Sequence, residues 1–371
     1  MILQKDRNTR GFLALLRAGL WEEDVKLLPY REIDFSVVQQ LAEEQSVVGL
    51  VSAGMEHVVD TKIPKQDLLQ FIGQTLQIEE QNKAMNYFIG VLVDKMRVDD
   101  IYTLLVKGQG VAQCYERPLW RMSGDVDFYL SDTNYTKAKE FITPLASSVE
   151  EEDKNKQHYG VNISPWTVEL HGTMYTNISP RINQLLDEVH HDLFYMGEVR
   201  SWNNDRTTVF LPSPQNDIII VFTHFINHFY GEGIGLKQIC DWCRLLWTFR
   251  ESINRILLKE QINKAGLMKE WKTFGALAVE SLGMPSDVMP FYSENKSMSK
   301  KADKLINHIL ETGHIRSNQD EEYRVSTPKI VSHIITFWRR LKEFVQLTKL
   351  FPLNAPRFFV NYLFVRIKAI L

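Results

Sequence analysis

Cysteine is scarce in this chain: Cys114, Cys240 and Cys243 are the only three in 371 residues. That excludes a disulfide framework, and the Cys-x-x-Cys of 240–243 lacks the second pair a zinc site wants, so helix packing is its expected use. Excess positive charge is missing as well. A formal net charge of −3 leaves no basic footprint of the kind that nucleic-acid binding requires. No apolar run reaches the length of a membrane span, and charges at Lys5, Asp6, Arg7 and Arg10 break the start before a secretory signal can form. The expected location is the cytoplasm. Two metal and nucleotide signatures are also absent. Gly231, Gly233 and Gly235 follow no strand and have the wrong spacing for a dinucleotide loop, and His224 and His228 lack the glutamate of a His-Glu-x-x-His zinc helix. Among Phe222, Phe225 and Phe229, the two histidines read as packing or hydrogen-bonding residues between lobes.

What is present is enough apolar residue, 44 %, for a substantial core, with 24 % charged residues to solvate it. Apolar spacings of three and four predict helices over 11–21, 35–57 and 64–96, the last with possible breaks at Gly73 or Gly90. Residues 101 to about 175 read as strands, with the charged stretch 150–156 as a solvated connection. From Ser179 the pattern returns to helices over 216–230, 236–249 and 251–282, and 293–317 is charged enough to lie on the surface. The expected segments are a helical 1–100, a sheet-bearing 101–178, a helical 179–327 and a basic tail, 328–371. That tail holds eight Lys and Arg against Glu343 alone, a charge of +7 that leaves −10 for the remainder. Ile334, Phe337, Trp338, Leu341, Phe344 and Val345 recur at helical spacing in it. A basic amphipathic segment either docks on the acidic remainder or makes peripheral contact with anionic membrane.

The most informative stretch is Met-Ser-Gly-Asp-Val-Asp-Phe-Tyr-Leu at 122–130. In a strand, side chains alternate between faces, so Asp125 and Asp127 point one way while Val126 and Phe128 pack behind them. The strand expected at 166–170 puts Glu169 on a face with Thr167 and His171. Three carboxylates on neighbouring strands suit Mg²⁺, whose preference is for hard oxygen donors. The competing reading of an isolated Asp-x-Asp is a solvated turn. Upstream, the apolar run 101–106 is followed by Lys107-Gly108, where glycine lets the backbone approach a phosphate. Lys107 is either a point charge for that phosphate or simply solvated. Arg121 either meets a triphosphate or pairs with a carboxylate to hold the acidic strand. Ser123 and Gly124 shape the strand entrance, and Lys237 and Asp241, one helical turn apart, either reach into a cleft or form a helix ion pair.

Together these residues resemble a known superfamily. A glycine turn after one strand, Gly-Asp-x-Asp on the next and a third acid on a later strand look like nucleotidyltransferases of the DNA polymerase beta-type fold. Lys107-Gly108, Tyr115 with Pro118, Arg121 with Gly124-Asp-Val-Asp127, and Val168-Glu-Leu-His171 are similar to a bacterial family of uncharacterised nucleotidyltransferases. His224, His228 and the run from Gly233 to Asp241-Trp242 extend the likeness, which covers roughly 10–280. One departure is Lys107-Gly108-Gln109, where many superfamily members have Gly-Ser or Gly-Gly. The resemblance implies an α+β fold, predominantly helical, with a small mixed sheet flanked by N- and C-terminal helical segments. It implies catalytic, metal-holding roles for Asp125, Asp127 and Glu169 with two Mg²⁺ ions. Lys107, Gly108, Arg121, Ser123, Gly124, Lys237 and Asp241 would bind the nucleotide. The substrate would be an NTP, and the acceptor a small molecule, polysaccharide precursor, RNA or protein. The alternatives are a phosphotransferase on the same fold, or a binding module that has lost catalysis.

Overall fold

The computed structural model describes residues 6–231, 233–313, 341 and 344–368, the last seven of these by backbone alone. The fold is α+β. Four helices, α1 (Arg7–Trp21), α2 (Phe35–Glu44), α3 (Val48–Glu56) and the long α4 (Lys65–Val98), precede the first strand. The Asp6 carboxylate caps α1 by accepting from the N–H groups of Asn8 and Thr9. Helix α4 runs unbroken through both Gly73 and Gly90, and the expected 35–57 helix is split at Gln45–Val47 into α2 and α3.

Seven strands follow: β1 (Leu104–Val106), β2 (Asp125–Tyr129), β3 (Ser148–Val149), β4 (His158–Ile163), β5 (Trp166–His171), β6 (Val199–Asn204) and β7 (Thr207–Pro212). They form one mixed sheet in the order β3-β4-β5-β2-β1-β7-β6. The β6–β7 hairpin corrects the all-helical expectation for residues beyond Ser179. Its alternation is plain afterwards: Thr207, Val209 and Leu211 face inward while Thr208 is exposed, and Asp205 takes the positive φ of 52° that its tight turn needs.

Helices cover both sides of the sheet. Leu105, Val126, Phe128, Val168, Leu170, Val209 and Leu211 pack with the C-terminal half of α4 and with α6 (Asp132–Ile142). The other side of β1 and β2, with Leu104, Val106 and Tyr129, joins a second core built from α1–α3, α7 (Pro180–Phe194), α8 (Pro214–Gly231), α9 (Leu236–Thr248), α10 (Arg255–Ala265) and α11 (Met268–Glu280). Between β1 and β2 lies a short α5 (Gly108–Ala112). The segment expected on the surface at 293–317 is amphipathic instead. In α12 (Lys296–Thr312), Ala302, Leu305, Ile306, Ile309 and Leu310 are buried on the second core while the lysines face out.

The described part of the tail docks on the same core. Phe351 stacks on Phe274 at 6.4 Å and 5°, Phe358 stacks on Tyr230, and Asn354 donates to the Gly266 carbonyl and to Glu270. Ile334, Phe337, Trp338 and the charges Lys329, Arg339, Arg340 and Lys342 lie outside the described residues. Among the described residues, no helix is long and apolar enough to cross a membrane.

Candidate active site

The register of the sheet brings the acidic residues together. Strands β2 and β5 are parallel and pair Asp125 with Thr167, Asp127 with Glu169 and Tyr129 with His171. Residues paired across a sheet share a face, so both aspartates and Glu169 project to the side covered by α8 and α9. One oxygen from each of the three carboxylates lies within 4.8 Å of the others. Asp125 is exposed at the mouth, Glu169 is half-buried, and Asp127 is buried at 2 % exposure. The carboxylates stand at a cavity of about 190 Å³ that α8 and α9 line with Val221, His224, Phe225, His228 and Lys237. Whole small-molecule sites occupy roughly 300–1,000 Å³. A cavity of about 190 Å³ has room for a phosphate-sized group but not for a whole nucleotide.

One lysine and two histidines answer the carboxylates. Lys107 Nζ lies 2.5 Å from Asp127 Oδ1, His171 Nε2 lies 2.8 Å from the same oxygen and 3.4 Å from Glu169 Oε2, and His158 Nε2 lies 3.1 Å from Glu169 Oε2. Burial disfavours the charge on Lys107, but Asp127, Asp125 and Glu169 together outweigh it and raise the pKa. His171 behaves alike: burial lowers its pKa, and its bonds to Asp127 and Glu169 carry it above the usual value. For Glu169, burial pushes up, but His158, His171 and Lys107 hold the carboxyl far below the ordinary range. Asp125 moves the other way, raised by the charge of Asp127 beside it and then by burial. Lys107 also carries a positive φ of 58° at the exit of β1, followed by Gly108 at 36°, a backbone strain that turns the lysine over the acids.

Arg121 is placed differently. Its Nε and Nη2 each lie 2.7 Å from an oxygen of Asp241 on α9, Tyr115 donates to the same carboxylate at 2.8 Å, and Nη1 donates to Ser123 Oγ at 2.7 Å. The Arg121 carbonyl is fixed by Asn82 of α4, which in turn accepts from Gln109. Asp241 thus pairs with Arg121, not with Lys237 one turn away. Lys237 lines the cavity, its pKa lowered by burial and by Arg121. Gly124 has open space where a Cβ would stand, so its backbone is accessible to a ligand.

The structure keeps His171 on the face of Glu169, as the strand pattern expects, and brings further histidines to the site. His158 and His171 are paired directly across β4 and β5, which brings His158 onto Glu169. The signal for that pairing is the Ser164-Pro165 turn, which closes β4 and β5 into a hairpin. His224 and His228 line the cavity instead of only packing between helices. Burial, Lys107 and His228 push the His224 pKa well below its usual value.

A family model described as uncharacterised nucleotidyltransferase matches residues 31–283, more than half of the chain and all of the site. The chain belongs to this nucleotidyltransferase family. The matched span takes in every strand of the sheet and ends beyond α11. Among solved structures, the family member is similar to an antigenic nucleotidyltransferase-like protein from Paracoccidioides brasiliensis. Identity is 13 %, the likeness covers 55 % of this chain and 95 % of that one, and the TM-score is 0.31. No curated protein matches the chain.

Proposed function

We propose that the chain catalyses Mg²⁺-dependent nucleotidyl transfer from an NTP to an acceptor hydroxyl, in a site of the DNA polymerase beta type. The observation that carries this reading is the convergence of Asp125, Asp127 and Glu169 within 4.8 Å on one sheet face, at the edge of a polar cavity. The donor set fits Mg²⁺, being all oxygen and strongly anionic. When bound, the ions neutralise the triphosphate and favour attack by the acceptor oxygen.

The chain's own residues divide the remaining work. Asp125 and Asp127 hold the cation side of the nucleotide, and Glu169, kept ionised by His158 and His171, completes the set as a charge holder. Lys107 is positioned to exchange its contact with Asp127 for a phosphate oxygen once cations take over the carboxylates. Its charge would then stabilise the leaving pyrophosphate. Arg121 stays with Asp241 and, with its carbonyl held by Asn82 of α4, fixes the entry into β2, which sets where Asp125 begins. The acceptor is a small molecule, a polysaccharide precursor, RNA or a protein side chain, and the basic tail would supply any peripheral membrane contact.

The test is a screen of the four NTPs with Mg²⁺ and candidate acceptors, comparing wild type with the Asp125→Ala/Asp127→Ala double variant and weighing the product. A gain of one nucleoside monophosphate in the acceptor, lost in the double variant, is the expected result. A gain of one phosphate assigns the site to a kinase instead, and equal turnover in the double variant overturns the metal role.

A further inference from the structure

Beside the three carboxylates the sheet presents a second constellation that Mg²⁺ chemistry does not use. His158 on β4 and His171 on β5 are direct cross-strand partners, and Glu169 stands two residues before His171, so all three side chains share one face. Both rings turn the same nitrogen, Nε2, toward Glu169 Oε2, at 3.1 Å from His158 and 3.4 Å from His171. One ligand atom from each of the three residues lies within 4.8 Å of the others. A tetrahedral ion with bonds of about 2.0–2.1 Å sets neighbouring ligand atoms about 3.4 Å apart. The two distances to Glu169 Oε2, 3.1 and 3.4 Å, lie close to that figure.

We propose that His158, Glu169 and His171 form a binding site for a borderline transition-metal ion of the Zn²⁺ type, next to the oxygen site and sharing Glu169 with it. Imidazole nitrogens discriminate by ligand type: they suit Zn²⁺ and its neighbours, whereas Mg²⁺ keeps to oxygen donors and water. Two histidines and one carboxylate also leave the remaining position of a tetrahedral ion open, the arrangement of catalytic and not of structural zinc sites. The His158 side chain is about one-third exposed, which provides an entry path from solvent. A further acid stands close by. Gly160, paired with Glu169, has no side chain, and the carboxylate of Glu150 lies 2.6 Å from where its Cβ would be, on the same face. The site goes beyond the nucleotidyl-transfer reading and stands or falls without it.

The experiment titrates Co²⁺, a spectroscopic stand-in for Zn²⁺, into metal-stripped full-length protein held in excess Mg²⁺. Calorimetry reads stoichiometry, and visible d–d absorption reads nitrogen ligation. One Co²⁺ per chain with an intense d–d band is expected. His158→Gln and His171→Gln should each weaken it at least tenfold, while His228→Gln, a histidine of the same cavity outside the trio, should leave it within twofold of wild type. His171 also bonds Asp127, so its variant is read only if circular dichroism shows a native fold, and the more exposed His158 carries the test otherwise. Absence of a nitrogen-type band under excess Mg²⁺ overturns the proposal and leaves the histidines as hydrogen-bond partners that orient Glu169. Loss of the band in His228→Gln with retention in His158→Gln moves the metal to α8 and overturns it equally.

Discussion

Arg121 and Asp241 line the same cavity as Asp125, Asp127 and Glu169, yet the two sets of charges are arranged in opposite ways. The first is matched one to one: a guanidinium and a carboxylate in bidentate contact, both buried, with Tyr115 and Ser123 taking further bonds. The second gathers three carboxylates within 4.8 Å and answers them with Lys107 and two histidines in partial, shared contacts. A closed pair of this kind ties α9 to the residues that lead into β2. Like charges pressed together hold an electrostatic cost that a bound cation relieves, and the raised pKa of Asp125 beside Asp127 is the visible part of that cost.

The largest expected effect separates the two sets by function. Asp125→Ala/Asp127→Ala should cut NTP turnover by on the order of 10³-fold or more, as loss of a preorganised charge-stabilising group does elsewhere. Its circular dichroism should stay native, while the denaturation midpoint falls because Lys107 loses its partner Asp127. Collapse of the fold would show the acids to be structural. Asp241→Asn is the reciprocal experiment. Breaking a buried pair from one side strands the other charge, so urea denaturation should show a loss of about 3 kcal/mol or more. Replacing both partners together, Arg121→Met/Asp241→Leu, should recover most of it.

Lys107 sits between the two sets, buried like a structural residue but bonded to a carboxylate of the site. Lys107→Met should weaken NTP binding about tenfold in calorimetry, equivalent to roughly 1.4 kcal/mol. The variant should also gain more thermal stability from added Mg²⁺ than wild type does, because the ion replaces a lost positive charge. Unchanged NTP affinity would remove Lys107 from the phosphate role.

A smaller effect is expected in the helical half, where Glu270 is buried with no ion pair among the described residues. Burial raises its pKa, Tyr230 and Asn354 both use Oε1, and Oε2 has no hydrogen-bond partner among the described residues. A folded-state pKa above the unfolded value means that stability is lost as pH rises from about 4.5, the ordinary glutamate range. Glu270→Gln should therefore melt like wild type in acid and above it near neutrality, the gap widening with pH by up to about 1 kcal/mol. A gap that shrinks as pH rises would contradict the assignment.

How much of this was legible in the residues follows from the range of each interaction. The common face of Asp125, Asp127 and Glu169 rests on alternation within β2 and β5, which a five- or six-residue window contains. Helices α8 and α9 are equally local, marked by apolar periodicity and by the glycines between them. The β6–β7 hairpin escaped because Val199–Asn204 is mostly polar and exposed along an edge strand, with little alternation to read. His158 escaped because its meeting with Glu169 depends on the register of β4 against β5 about the Ser164-Pro165 turn. Arg121 and Asp241 lie 120 residues apart, a pairing that the packing of α9 on the sheet decides and that local pattern leaves open. The amphipathic face of α12 was hidden by its lysines, whose number suggested surface while their spacing left one apolar stripe.

Under the proposed metal role, the acidic face is kept for a cation at the expense of the fold. Asp125→Asn tests it most directly, since it removes one charge from the crowded set and keeps the shape of the side chain. In metal-free protein at neutral pH, differential scanning calorimetry should show a melting temperature above that of wild type, and Mg²⁺ should raise it less than it raises wild type. A variant that melts below wild type without metal and gains as much from Mg²⁺ would contradict the claim.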